Sequence, residues 1–169
     1  MKKEQLLHSI IKEMKVCRRL STKIPAGQLD FRPKENVRST LELLQYLSWC
    51  STGMLRYWQQ SAESDFRTYF GGLIAETKTL SGDQFLAKMD EQIATLQKMF
   101  EALSEEDLNT REVTLPWGDK LPLGQALVET SLKWTTAYKL QLFFYLRLCS
   151  DQKLGTPDAW RLTEIETPV

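Results

Sequence analysis

Apolar side chains recur at the three- and four-residue steps of a helix in four long stretches of this chain, and nowhere else for any length. Over residues 3–20, Leu6, Ile10, Met14 and Cys17 form one inward stripe that Leu7 and Ile11 widen. Over 39–58, Leu44, Leu47, Trp49, Cys50, Met54 and Leu55 carry the pattern, and Ser39 with Glu42 three residues later predicts a capping box at its start. Over 82–103 the stripe is Phe85, Met89, Ile93, Leu96, Phe100 and Leu103, opened by a second capping pattern at Ser81–Gln84. The fourth helix is expected over 122–149, with Pro122 at its first position, where a missing N–H costs nothing. Its last turns, LQLFFYLRLC, are apolar almost all round and require cover on more than one side.

The intervals are polar or broken. Pro25, Gly27 and Pro33 interrupt the loop after the first helix. Residues 59–80 form a long connection containing Gly71 and Gly72, with a short helix expected around Asp65–Phe70. A connection of that length permits a crossover, so that the second and third helices run parallel. Glu112–Leu115 and the Pro116-Trp117-Gly118-Asp119 turn predict a small hairpin before the fourth helix. The tail, 150–169, has no periodicity, although Trp160 is placed to pin it to the bundle. No repeat or linker divides the chain, so one all-α four-helix-bundle domain over 1–169 is expected.

Composition narrows the function classes. The 169 residues are 42% hydrophobic and 26% charged, with 22 basic and 22 acidic side chains. That balance leaves no global field to recruit nucleic acid or an anionic membrane. Ten of the basic residues lie within 1–38, and Glu101, Glu105, Glu106 and Asp107 cluster later; both groups read as solvated helix faces or ends. Cys17, Cys50 and Cys149 are odd in number and surrounded by apolar residues, as expected of reduced, buried thiols. The charged start lacks the apolar core of a signal peptide, and no uncharged run approaches the roughly 18 residues of a membrane span. A cytoplasmic location is expected. The chain's one histidine, His8, shares a face with Lys12, Lys15 and Arg19 and reads as a surface residue.

Three segments carry a resemblance over nearly the whole chain: Leu29-Asp30-Phe31-Arg32-Pro33, the stretch from Arg38 to Tyr46 (RSTLELLQY), and that from Trp134 to Leu142 (WTTAYKLQL). In this order and spacing the sequence resembles the DinB-like family, four-helix bundles of up-down-down-up topology. The metal-binding members bring together one histidine from helix two and an HxxxH pair from helix four. Neutral imidazoles there hold a divalent ion whose open position activates a water or thiol. The resemblance places Tyr46, Trp134 and Tyr138 at those ligand positions. Indole nitrogen only donates, and a phenol stays protonated at neutral pH, so neither a metal nor another cofactor is expected.

Two readings of the three aromatic residues stand side by side. They form a core plug, or they wall a small-molecule pocket whose polar candidates are Gln45, Lys133 and Gln141. Glu42 is accounted for as a capping residue. Phosphate-loop and dinucleotide motifs are absent, and a single surface histidine cannot readily supply a nucleophile–base pair. The expected function is therefore binding or assembly without catalytic residues, most readily as a homodimer through the apolar end of helix four or a neighbouring face. The alternative that the resemblance implies is a thiol-dependent transferase, isomerase or hydrolase of the same superfamily.

Overall fold

The computed structural model describes residues 1–60 and 65–162; the parts of the predicted connection and tail at 61–64 and 163–169 lie outside the described residues. Among the described residues eight α-helices run in chain order: α1 (Lys3–Ser21), α2 (Thr40–Leu47), α3 (Cys50–Gln60), α4 (Phe66–Thr77), α5 (Phe85–Glu101), α6 (Glu105–Thr110), α7 (Leu123–Leu127) and α8 (Lys133–Cys149). A two-stranded antiparallel hairpin, β1 (Glu112–Thr114) and β2 (Lys120–Pro122), precedes α7.

Pairings between the long helices give their directions. Lys3 donates to the Leu103 carbonyl and Arg18 to Asp90, so α1 and α5 are antiparallel. Gln92 meets the Leu47 carbonyl, and Gln59 meets that of Met99, so α2–α3 runs parallel to α5. Ser51 meets Thr135 and Tyr145 meets Arg38, which sets α8 antiparallel to α2–α3. The bundle is up-down-down-up, as the resemblance implies. The crossover between the two parallel helices is the segment that holds α4.

Several boundaries differ from the periodic reading. The predicted helix over 39–58 is two helices, broken at Ser48–Trp49. A break leaves backbone groups without helical partners, and here one side chain from α5 satisfies two of them. The Gln92 amide accepts from Ser51 N at 3.0 Å and donates to Leu47 O at 2.9 Å. The helix expected around 65–70 continues to Thr77 through both glycines. Phe66, Tyr69, Phe70, Leu73 and Thr77 make a stripe on one face of it, and their packing outweighs the roughly 1 kcal/mol that each helical glycine costs. A 3₁₀ turn, Gly82–Gln84, precedes α5. Part of the acidic cluster forms α6, with Glu105, Glu106 and Asp107 in its first turn, where the helix dipole favours negative charge. Pro122 ends β2 and caps α7. The predicted fourth helix carries a π-helical turn at Val128–Leu132 between α7 and α8, and the wider turn buries both Thr130 and Ser131 completely.

The tail is fastened at two points. Lys139, with no exposed surface, bonds Glu13 of α1 at 2.5 Å, and its ammonium lies 3.8 Å from the centre of the Trp160 ring. Arg19 pairs with Asp158 at 3.6 Å. The all-round apolar end of α8 is therefore covered only in part. Leu142, Phe143, Tyr145 and Leu146 are buried, while Phe144 and Leu148 remain 49% and 64% exposed.

Candidate functional site

The predicted aromatic residues meet where α2 faces α8. The Ser39 hydroxyl accepts from Glu42 N and the Glu42 carboxylate accepts from Ser39 N, fixing the start of α2. Arg32 also grips Glu42 with two bonds of 2.7 Å. One and a half turns into this helix, Tyr46 lies against Tyr138 with ring centres 4.4 Å apart. It also meets Trp49, which sits in the α2–α3 break, edge-on at 4.7 Å. The series continues through Phe70 of α4, 5.7 Å from Trp49 and 6.2 Å from Trp134. Tyr46 and Tyr138 thus touch directly, while Trp134 joins them through Phe70 and Trp49.

Trp49 reaches its position because Gly53 follows it by one turn. A β-carbon at Gly53 would lie 2.9 Å from the indole ring and 3.3 Å from Leu73 of α4. The glycine therefore seats α4 on α3 through the Trp49 ring.

Arg38, on the rim, holds its guanidinium 4.5 Å from the Tyr46 ring centre and 5.3 Å from that of Tyr138. The polar candidates mostly fix the walls. Gln141 donates to the Tyr145 hydroxyl at 2.6 Å, which donates to the Arg38 carbonyl at 2.8 Å, so Gln141 anchors the backbone under Arg38. Gln45 donates to the carbonyls of Lys78 and Leu80, tying the end of α4 to α2. Lys133 pairs with Glu129 on the surface of the last helix and takes no part in the site.

A cavity of about 300 Å³ opens beside Tyr46, lined by Arg38, Glu42, Gln45, Trp49, Ile74, Thr77 and Lys78 as well. Of the six predicted site residues only Gln45 and Tyr46 face it. Sequence reasoning missed Arg38, Trp49 and the whole contribution of α4. The stripe Phe66, Tyr69, Phe70, Leu73 and Thr77 was the available signal, and the glycine pair inside it obscures the helix. A second, more polar cavity of about 540 Å³ lies between α3, α4 and α5, and Trp49 and Thr77 form walls of both.

Burial raises the Tyr46 phenol above its ordinary value, and nearby Cys50 and Tyr138 add to the effect against the opposing charge of Arg38. Burial likewise pushes the Cys50 thiol up to about 12, outweighing its hydrogen bonds with Thr135 and Ser51. Cys17 is raised well above its usual value, again chiefly by burial. Under α3, Thr135 links the Ser51 hydroxyl to the Ser131 carbonyl, each at 2.6 Å, while the Ser131 hydroxyl has no partner among the described residues.

These residues do not fit a divalent metal. A phenol kept protonated and an indole are poor donors, and Arg38 sets a positive charge over the two tyrosine rings. Among the described residues no three of His, Cys, Asp and Glu converge. His8 is exposed on α1. None of the described helices is long and apolar enough to cross a membrane.

The directions of the four long helices, the crossover and the hairpin define a DinB-type bundle. The model of the DinB superfamily matches residues 12–130, and the chain belongs to that superfamily. The crystal structure of a DinB-like protein from Bacillus subtilis (YjoA) is similar, with a TM-score of 0.64 and 19% identity over 89% of this chain and 96% of that one. At that identity the likeness concerns the fold. Comparison with curated proteins finds no match.

Proposed function

We propose that this chain is a DinB-like bundle that works without the family's metal centre and acts by binding, receiving a small molecule in the cavity beside Tyr46. One observation carries the reading. At the place that the resemblance gives to metal ligands, two phenol rings meet tilted at 53° with centres 4.4 Å apart beneath a guanidinium, next to an open cavity of about 300 Å³. That size lies at the lower end of small-molecule sites, and a mostly apolar wall with a few polar groups is their usual composition. Tyr138 and Trp134 are half-buried against the core, and Tyr46 lines the opening.

The enzymatic alternative has less support. A reaction on a small external thiol needs a base or a metal to form the thiolate, and the one carboxylate lining the cavity, Glu42, is already bonded by Arg32 and Ser39. Homodimerisation remains the proposed mode of assembly, since Phe144 and Leu148 leave an apolar strip on the last helix. Sedimentation at high protein concentration tests it, a monomer being the refuting result.

Elemental analysis of protein purified without added metal, with a thermal-shift screen of divalent ions, tests the metal-free reading. The expected result is less than one metal per ten chains and no stabilisation by any ion. One tightly held metal per chain, lost in Tyr46→Phe or Tyr138→Phe, would overturn it.

A further inference from the structure

The charges around the cavity are unequal, and the inequality selects a ligand class. Three charged side chains line it: Arg38, Lys78 and Glu42. Glu42 is already neutralised, since both its oxygens are bonded by Arg32, which stands outside the lining, and one also accepts from Ser39 N. Among the described residues no carboxylate lies within ion-pair reach of Arg38 or Lys78. The other donors on the walls are committed as well. Thr77 donates its hydroxyl proton to the Leu73 carbonyl at 2.9 Å, and the Gln45 NH₂ donates to the carbonyls of Lys78 and Leu80. The opening thus offers two cations that no carboxylate among the described residues bonds, with the charge of Glu42 felt at Arg38 but its oxygens held by Arg32, above a surface of Tyr46, Trp49 and Ile74.

Resting on the binding reading above, we infer that the cavity takes a small organic carboxylate with an apolar body. The anionic head sits between Arg38 and Lys78, and the body lies against Trp49, Tyr46 and Ile74. A guanidinium seated over ring faces keeps its N–H edge for a planar acceptor, and the fork of two N–H groups matches the two oxygens of a carboxylate. The stacking under Arg38 also holds that fork before the ligand arrives, which lowers the ordering cost of binding. At about 30 Å³ per water-sized unit, 300 Å³ accommodates about ten non-hydrogen atoms. A single ring with a short acid fills it. Inorganic phosphate would satisfy the cations but leave the apolar walls wet.

The test is an NMR titration of the labelled protein with phenylacetate, its neutral analogue phenylacetamide, and inorganic phosphate, repeated on Arg38→Gln and Lys78→Gln. Both substituted side chains are exposed, so the fold is expected to persist, and the spectra report it directly. Phenylacetate is expected to shift resonances around Tyr46, Trp49 and Ile74, and to bind about tenfold tighter than the amide. That preference is expected to fall below about threefold in Arg38→Gln and to weaken in Lys78→Gln. Equal binding of acid and amide at these residues overturns the carboxylate assignment while the binding reading stands. So does a preference that survives both substitutions. Phosphate binding as tightly as phenylacetate overturns the apolar-body requirement. Failure of acid and amide alike to shift these residues at millimolar concentration removes the binding reading along with the assignment.

Discussion

Lys139 is the side chain whose replacement most directly tests how this bundle is closed. It lies in the middle of α8 with no exposed surface, its ammonium 2.5 Å from Glu13 of α1 and 3.8 Å from the centre of the Trp160 ring. Lys139→Met keeps most of the volume and removes the charge. The Glu13 carboxylate then stays in a site where its side chain is only 13% exposed, without its counter-ion. Removing one member of a buried pair typically costs about 3–5 kcal/mol. Glu13 keeps a narrow access to water, so a loss of about 3 kcal/mol is expected. For a chain of this size each kcal/mol moves the midpoint by about 2–4 °C, so the melting temperature should fall by roughly 6–12 °C. Adding Glu13→Met should recover most of the loss, because two apolar side chains of similar size replace the pair without stranding a charge. Calorimetry or circular-dichroism melts of the wild type, both single variants and the double variant complete the cycle. A single variant within about 0.5 kcal/mol of wild type, or a double variant less stable than Lys139→Met alone, would refute the claim that the buried charge is held by this pairing.

Three further outcomes follow from the same structure. Gly53→Ala puts a methyl group 2.9 Å from the Trp49 ring; a loss of about 1–3 kcal/mol in urea titration is expected, with altered Trp fluorescence, and an unchanged variant would show that α4 does not depend on this seat. Thiol labelling of the native protein at pH 8 should modify Cys149 first, since Cys17 and Cys50 are fully enclosed and burial raises both thiols, Cys50 to about 12. Rapid reaction at Cys50 would contradict that environment. Glu42 and Asp90 are held below their ordinary values by hydrogen bonds from Arg32 and Arg18. The unfolded chain therefore takes up protons at these groups before the folded one does. Their contribution is present above the ordinary carboxylate range and lost as pH falls through the lower folded values. Urea titrations between pH 6 and pH 3 should show a shallower acid loss in Glu42→Gln, and an unchanged slope would rule out this linkage.

The tightness of the walls and the openness of the cavity have a common origin in α4. This helix buries Leu73 and Thr77 deeply but presents Phe66, Tyr69 and Phe70 only partly to the bundle. It is held at its end by Gln45 and in its middle by the Tyr69 hydroxyl, which donates to the Gly53 carbonyl at 3.1 Å. An element with so few enclosed side chains covers a site without filling it. The two cavities flanking Trp49 are the space that remains.

Much of the architecture was legible before any coordinates. Stripes such as Leu6–Ile10–Met14 and Phe85–Met89–Leu96 specify helices, because a helix that buries one face needs apolar residues every three or four positions. Ser39 with Glu42 marks a helix start, because their reciprocal bonds act within four residues. The hairpin and the pinning role of Trp160 were also readable from local signals. That one chain cannot supply three imidazole ligands followed from residue identity alone, since it has a single histidine.

What only the tertiary structure decided depends on partners distant in the chain. The break at Ser48–Trp49 is tolerated because Gln92, more than 40 residues away, satisfies the freed backbone groups. Arg38 becomes part of the site because two tyrosines, one of them from the last helix, lie beneath it. Gln141 and Lys133 resemble site residues in sequence, yet one anchors a loop through Tyr145 and the other pairs on the surface. Lys139 carries no local mark of its burial in the sequence; Glu13 and Trp160 are brought around it only by the packing. Periodicity determines which face of a helix turns inward, whereas the identity of the groups it meets there is set by the packing of the helices against one another.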